Sequence, residues 1–307
     1  MTNASASGKI ILFGEHAVVY GRPALAVPLP QLRTRVRIEE TGTGSIIVHA
    51  RDLGRTWALN AAPDDPLGAI IRLTLAALAA PTPLSLDIWI ESDIPIASGL
   101  GSGAAVSTAI VRALAAHLKH PLSPAEVSAL VYESEKLYHG TPSGIDNTVI
   151  ALEQAIRFTR PAGPQPIEIA RPFTLAIANT GIASPTRITV GDVRKGWQQD
   201  PARYERLFDQ VAVVVEQARV ALAEGNIEQL GGLMNRNQEL LQEIGVSSPE
   251  IERLAQAARA AGAPGAKLSG GGRGGNVIVY ITPEQAPVVQ AALVKAGAVS
   301  VIVTAVQ

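Results

Sequence analysis

Pro95-Ile96-Ala97-Ser98-Gly99-Leu100-Gly101-Ser102-Gly103-Ala104-Ala105-Val106-Ser107 is the stretch whose reading decides the fold. An alternating apolar run, residues 84–91, enters it as an expected strand. An Ala-rich run, residues 104–117, leaves it as an expected long helix. Three glycines between them leave backbone N–H groups free to face one ligand. The helix start adds unpaired N–H donors and the positive end of its dipole. A strand, glycine loop and helix in that order make an anion site, and phosphate is the usual anion.

The same glycines also fit part of the dinucleotide fingerprint, as Gly99-x-Gly101-x-x-Ala104. That reading fails on context. A dinucleotide strand enters its first glycine directly, and a second strand with an acidic residue follows roughly 20 residues later. Here Asp93 to Ser98 intervene, and the next signal is Ser123-Pro124-Ala125-Glu126, a helix start. The Walker-type Gly-Lys-Ser/Thr ending is absent too.

A length of 307 residues suggests two domains. Hydrophobic residues make up 47% and aromatic residues only 4%, so the cores are expected to be Ala, Leu, Val and Ile. A net charge of −1 provides no basic field to hold nucleic acid, so a phosphorylated ligand falls to local dipoles and single cations. There is no cysteine, which excludes disulfides and thiolate metal sites. No apolar run reaches membrane-spanning length, and residues 1–7 lack the regions of a signal peptide. The expectation is a cytoplasmic protein that binds neither membrane nor nucleic acid.

In order, residues 9–13 read as a short strand ending in Gly14-Glu15-His16-Ala17-Val18-Val19-Tyr20-Gly21. Strands are expected at residues 24–29, 34–39, 45–49 and 56–59, with turns at Pro30 and at 42–44. Residues 66–80 have helical spacing. Ser123 to Glu126 form a capping box for a helix whose apolar stripe is Val127, Leu130, Val131 and Leu137, with Gly140 as its C-terminal cap. Glu135 follows Val127 and Val131 at four-residue steps and so faces inward. A carboxylate there needs a metal or a neighbouring Lys or Arg. Residues 139–147 read as a rigid polar turn containing Ser143 and Asp146. A proline-rich loop spans 161–172, and a domain boundary is expected near Pro172, giving domains 1–172 and 173–307. A strand at 173–178 follows, then helices at 189–197, 201–223, 227–244 and 249–261. A second glycine run, Lys267-Leu268-Ser269-Gly270-Gly271-Gly272-Arg273-Gly274-Gly275-Asn276, reads as a hairpin-like loop before a strand at 277–281. A capped helix from Thr282 and a strand at 299–306 complete an α+β order. Of the five histidines, His49 and His117 read as structural. No nucleophile elbow or His-Glu-x-x-His pair is present.

Lys9 with Gly14 to Gly21, Pro95 with Gly99 to Ser102, residues 135–147, and Lys267 to Gly270 with Gly274-Gly275 together resemble the GHMP kinase family, over nearly the whole chain. The resemblance implies a two-domain fold with an N-terminal ribosomal-S5-like domain and a C-terminal ferredoxin-like domain, with the site in the cleft between them. It implies ATP-dependent transfer of the γ-phosphoryl group to the 5-hydroxyl of mevalonate, with ATP and Mg²⁺ as cofactors and a homodimer as the assembly. Residue by residue, Asp146 would be the catalytic carboxylate beside the hydroxyl, and Lys9 would hold it ionised. Glu135 would hold Mg²⁺, with Ser102. Glu15, His16 and Ser143 would lie near substrate, with Thr186 close to Asp146. Pro95, Ser98, Gly99, Leu100, Gly101, Ser102, Gly103 and Ala104 would bind ATP. Arg187 or Arg194 would face the substrate carboxylate.

Two residues depart from the family pattern. Gly103 stands where a second serine is usual, and Arg273 stands in a run that is normally glycine and alanine; it could contact phosphate or the other domain, or point to solvent. Related readings are a sister kinase acting on phosphomevalonate, homoserine, a sugar or the mevalonate 3-hydroxyl, or a non-catalytic ligand sensor.

Overall fold

The chain divides into two units, each assembled from several segments: residues 1–9, 30–96 and 100–153 form one, and residues 10–29, 97–99 and 154–307 form the other. The computed structural model describes Met1–Gln307 except Ala97, Gly140, Thr141, Pro161, Ser184 and Pro185, and describes only the backbone at Tyr138 and His139. The expected cap at Gly140 lies outside the described residues.

The first unit holds most of β1 (Thr2–Phe13) and the later part of β2 (Ala24–Glu40). It continues with β3 (Ile46–Ala50), β4 (Arg55–Ala58), α1 (Pro66–Ala77), β5 (Leu86–Ser92), α2 (Ser102–His117), α3 (Pro124–His139) and α4 (Ile145–Leu152). Its strands run β4-β3-β5-β2, with β3 and β5 parallel and the outer pairs antiparallel. Val36 and Ile38 lie opposite Ile90 and Ile88, and with Val48 they make the buried face. Period-2 alternation sets which side chains point inward. Helices α1 to α4 pack on one another through small aliphatics such as Ala105, Ala109 and Ala113, all fully buried. Small side chains let helix backbones approach closely, which suits a chain poor in aromatics.

The second unit takes the ends of β1 and the start of β2, then β6 (Ile156–Thr159), β7 (Gly163–Pro166) and β8 (Phe173–Asn179). Four helices follow, α5 (Thr186–Gln199), α6 (Pro201–Ala223), α7 (Glu228–Ile244) and α8 (Pro249–Ala260). Then come β9 (Gly265–Ser269), β10 (Asn276–Ile281), α9 (Ala286–Lys295) and β11 (Ser300–Val306). Strands β11-β8-β10-β9 form an antiparallel sheet. The first strand of this half sits between the last and the third, the ferredoxin-like arrangement. No helix among the described residues is long and apolar enough to cross a membrane.

Several elements differ from the sequence reading, each for a physical reason. β1 starts at Thr2, not Lys9, because its polar N-terminal half gains a ladder with β2 that hydrophobicity does not reveal. β2 runs through Pro28 and Pro30, where a turn was expected. Both prolines fall between the stretch paired with β6, Ala24 to Ala26, and the stretch paired with β5, Thr34 to Glu40, so neither of these ladders needs their missing N–H. The proline-rich loop contains β7, paired with β6, although Pro161 lies outside the described residues. Leu137 is exposed rather than part of the α3 stripe. Ile145, Asp146 and Asn147 open a helix instead of lying in a turn, and Thr186 likewise starts α5.

Candidate functional site

Lys9 lies on β1 and is 4% exposed, an unusual degree of burial for an ammonium. Its backbone N–H donates to the Leu100 carbonyl at 2.9 Å, which ties β1 to the glycine loop. Its Nζ lies 3.0 Å from Asp146 Oδ1. Asp146 stands in the first turn of α4, where the helix dipole favours a carboxylate. Gly144 precedes that helix at φ 87°, a left-handed conformation that glycine adopts without strain. Ser143 serves the same turn, its Oγ accepting from the Ile145 N–H at 3.3 Å. Thr148 Oγ1 donates to the Gly144 carbonyl at 2.6 Å, and Asn147, buried beside Asp146, donates to Ser128 Oγ at 2.8 Å.

Glu135 belongs to this group. Burial pushes its carboxyl up to about 7, the Asp146 charge pushes it the same way, and Lys9 opposes them. Such a carboxyl is short of positive charge, which is what a divalent cation supplies. Among the described residues no three His, Asp or Glu side chains gather into a metal cage. Mg²⁺ is commonly held by one or two carboxylates together with substrate phosphates, so a single inward glutamate suits it. Ser102, half-buried at the first position of α2, is the hydroxyl of the helix start.

The loop follows from its backbone. Gly99 and Gly101 have φ of 76° and 77°, and Gly101 caps α2 with no side chain bonded to the helix amides. A Cβ at Gly101 would sit 2.9 Å from both Lys9 Cγ and Ile150 Cδ1. At Gly103 a Cβ would meet open space. Leu100 and Ala104 are buried as anchors, while Pro95 and Gly99 are exposed. Leu100 to Ala104 belong to the first unit; Ser98 and Gly99 belong to the second, where Asn276 Nδ2 donates to the Ser98 carbonyl.

The second unit holds another buried polar group. Glu15 and Lys267 form an ion pair with side chains 1% and 0% exposed, and Lys267 also donates to the Leu268 carbonyl at 2.6 Å. Burial lowers the Lys267 pKa, and Glu15 opposes that shift. His16, next in sequence, has φ 61° and is 5% exposed. Its Nε2 lies 3.0 Å from the Gly271 carbonyl, so Nε2 carries the proton. Burial drops its pKa to about 4, and Arg273 adds to that, so at neutral pH the ring is uncharged. Nδ1 is then a bare acceptor, buried with no partner among the described residues. Thr186 meets the same strip of backbone: a Cβ on Gly271 would lie 2.9 Å from Thr186 Oγ1. Arg273 does not point freely to solvent; its guanidinium pairs with Asp192 at 2.7 Å and donates to the Gly245 carbonyl. Arg187 and Arg194 both sit exposed on α5.

Sequence reasoning placed Lys267 in the second glycine run but gave it no carboxylate partner, whereas it lies buried on β9 against Glu15. Its signal was a lysine in an otherwise apolar strand, which demands a buried carboxylate.

A buried lysine on a carboxylate at a helix start, an inward glutamate and a glycine loop that opens a helix define a small-molecule phosphotransferase. The chain belongs to the GHMP kinase family: the model for the GHMP kinases N terminal domain matches residues 67–154, and that for the GHMP kinases C terminal matches residues 218–299. Its similarity is to relatives named mevalonate kinase. That of Pyrococcus horikoshii is 33% identical over 96% of this chain and 92% of its own. That of Aeropyrum pernix is 36% identical over 90% and 87%. The crystal structure of L. major mevalonate kinase in complex with R-mevalonate superposes with a TM-score of 0.88 at 32% identity, over 100% of this chain and 96% of that one. Methanococcus jannaschii mevalonate kinase gives 0.87 at 26% identity, over 99% and 97%.

Proposed function

We propose that this chain phosphorylates mevalonate, transferring the γ-phosphoryl group of ATP to the 5-hydroxyl with Mg²⁺ present. The Lys9–Asp146 pair carries the reading. Phosphoryl transfer asks for alignment and charge neutralisation more than covalent help. Asp146 orients the hydroxyl, and its carboxylate takes the hydroxyl proton late, as the oxygen–phosphorus bond forms and ADP leaves. Lys9 keeps Asp146 ionised and offsets charge on the transferring group. Glu135 and Ser102 would hold Mg²⁺, which would neutralise phosphate charge. Backbone N–H groups of the loop, from Ser98 to Ala104, face the triphosphate, with Pro95 at the loop's entry. In the second unit, His16 offers Nδ1 to a substrate hydroxyl, Thr186 meets the same strip of backbone as His16, and Arg187 or Arg194 faces the carboxylate.

The relatives' names and the match to a mevalonate-bound structure support this substrate over other alcohols. The test is ADP release from mevalonate, phosphomevalonate, homoserine and galactose, with NMR of the product showing which carbon bears phosphate. Turnover with mevalonate at C5 is expected. Asp146→Asn and Lys9→Met should each lower kcat by about 10³-fold. No turnover with mevalonate, or full activity in both variants, overturns the reading.

A further inference from the structure

Arg112 does more than fill the surface of α2. Its Nη1 donates to the Ser5 carbonyl at 2.8 Å and to Glu153 Oε1 at 2.8 Å, and its Nη2 donates to the Ala151 carbonyl at 3.0 Å. One guanidinium on α2 therefore reaches β1 and the C-terminal end of α4. Glu153 ends α4 in a left-handed conformation, φ 49°, and also binds Arg33 at 2.8 Å. Arg33 in turn donates to Ser5 Oγ at 3.1 Å. The side chains of Arg112, Arg33 and Glu153 are only 25–31% exposed, so their contacts are shielded in part from water.

The three elements gathered here are those that carry the reacting groups. Ser5 lies four residues before Lys9 on β1, and two-residue alternation puts both on one side of the strand. Ala151 and Glu153 lie at the far end of the helix whose first turn holds Asp146. Arg112 sits on the helix whose N-terminus the glycine loop opens. We propose that Arg112, clamped with Glu153, is a positioning residue that fixes β1, α2 and α4 against one another and so holds Lys9 on Asp146 at the start of α4. A guanidinium suits this task because its planar fork serves several acceptors at once, which an ammonium cannot do from one position. An α4 eight residues long has little helical stability of its own and depends on such anchors.

This inference rests on the proposed phosphoryl transfer for its kinetic readout, so the test carries a second readout that needs no substrate. Arg112→Met, Arg112→Lys and Glu153→Gln are compared with wild type by kcat and KM, by thermal melting, and by the rate at which an amine-acylating ester labels Lys9, read by mass spectrometry against exposed Lys136. Arg112→Met is expected to lose about 10- to 100-fold in kcat, with KM for both substrates changed less than about threefold. Arg112→Lys should recover part of that loss, and guanidinium ion should restore part of it in Arg112→Met. Lys9 labelling should rise severalfold in Arg112→Met and in Glu153→Gln. If kcat falls only as the folded fraction falls, or Lys9 labelling stays at the wild-type rate in folded variants, the inference is wrong. Should Arg112→Met not fold, Glu153→Gln decides by the same criteria. A wild type inactive on mevalonate overturns the proposed function alone, and Lys9 labelling still decides the role of Arg112.

Discussion

At the residue scale, the chain places charge where burial would normally forbid it. Lys267 and Glu15 are both removed from water, and the pair is tolerated because each cancels the other. Lys267→Met removes the ammonium from the buried Glu15 carboxylate, and should cost about 3–5 kcal/mol in urea unfolding. Adding Glu15→Gln should return much of that loss. A single variant as stable as wild type would contradict the burial of the pair. His16 sets a pH dependence. Its ring is protonated below about 6.5 in the unfolded chain but only below about 4 in the folded one. Unfolding between those values takes up a proton, so stability falls as pH drops from about 6.5 to about 4, by up to about 3 kcal/mol, and is unaffected by this group above that window. His16→Gln should flatten that part of the melting-temperature profile; an unchanged profile would remove His16 as its cause.

At the element scale, the glycine loop acts through its backbone. Gly101 needs φ 77°, and a methyl there would strike both the Lys9 stem and Ile150. Gly101→Ala should destabilise by about 1–2 kcal/mol from the left-handed conformation alone, and should lower kcat at least about tenfold by displacing Lys9. Gly103→Ala, which meets open space on a helical turn, is the matched control and should fold as well as wild type. Equal kinetics for the two variants would refute this distinction. Most elements were legible in the sequence because capping and periodicity are local: Ser123 and Glu126 bond reciprocally as expected, and α6 spans the expected residues. What was not legible was long-range pairing, as in the polar start of β1 and the passage of β2 through Pro28 and Pro30.

At the scale of the whole molecule, neither unit is one continuous segment. Residues 10–29 belong with the C-terminal unit, and they bring it Glu15 and His16. A fragment of residues 173–307, cut at the boundary that composition suggests, would leave Lys267 buried without its carboxylate. Such a fragment should show no cooperative thermal transition by circular dichroism; a native-like cooperative melt would show that residues 10–29 are dispensable for folding. The sequence by itself pointed to the glycine loop between a strand and a helix, to the inward-facing Glu135 and to most of the helices, because these depend on residue type and short spacing, whereas Lys9 and Asp146 stood out only through the family resemblance. Only the tertiary structure decided that Lys9 sits on Asp146, that Glu15 pairs with Lys267, that His16 is a buried neutral ring with Nδ1 left as an acceptor, and that Arg112 ties three elements together. Those facts depend on which distant segments share a buried space, and burial, not spacing, fixes the partner and protonation state of a polar group.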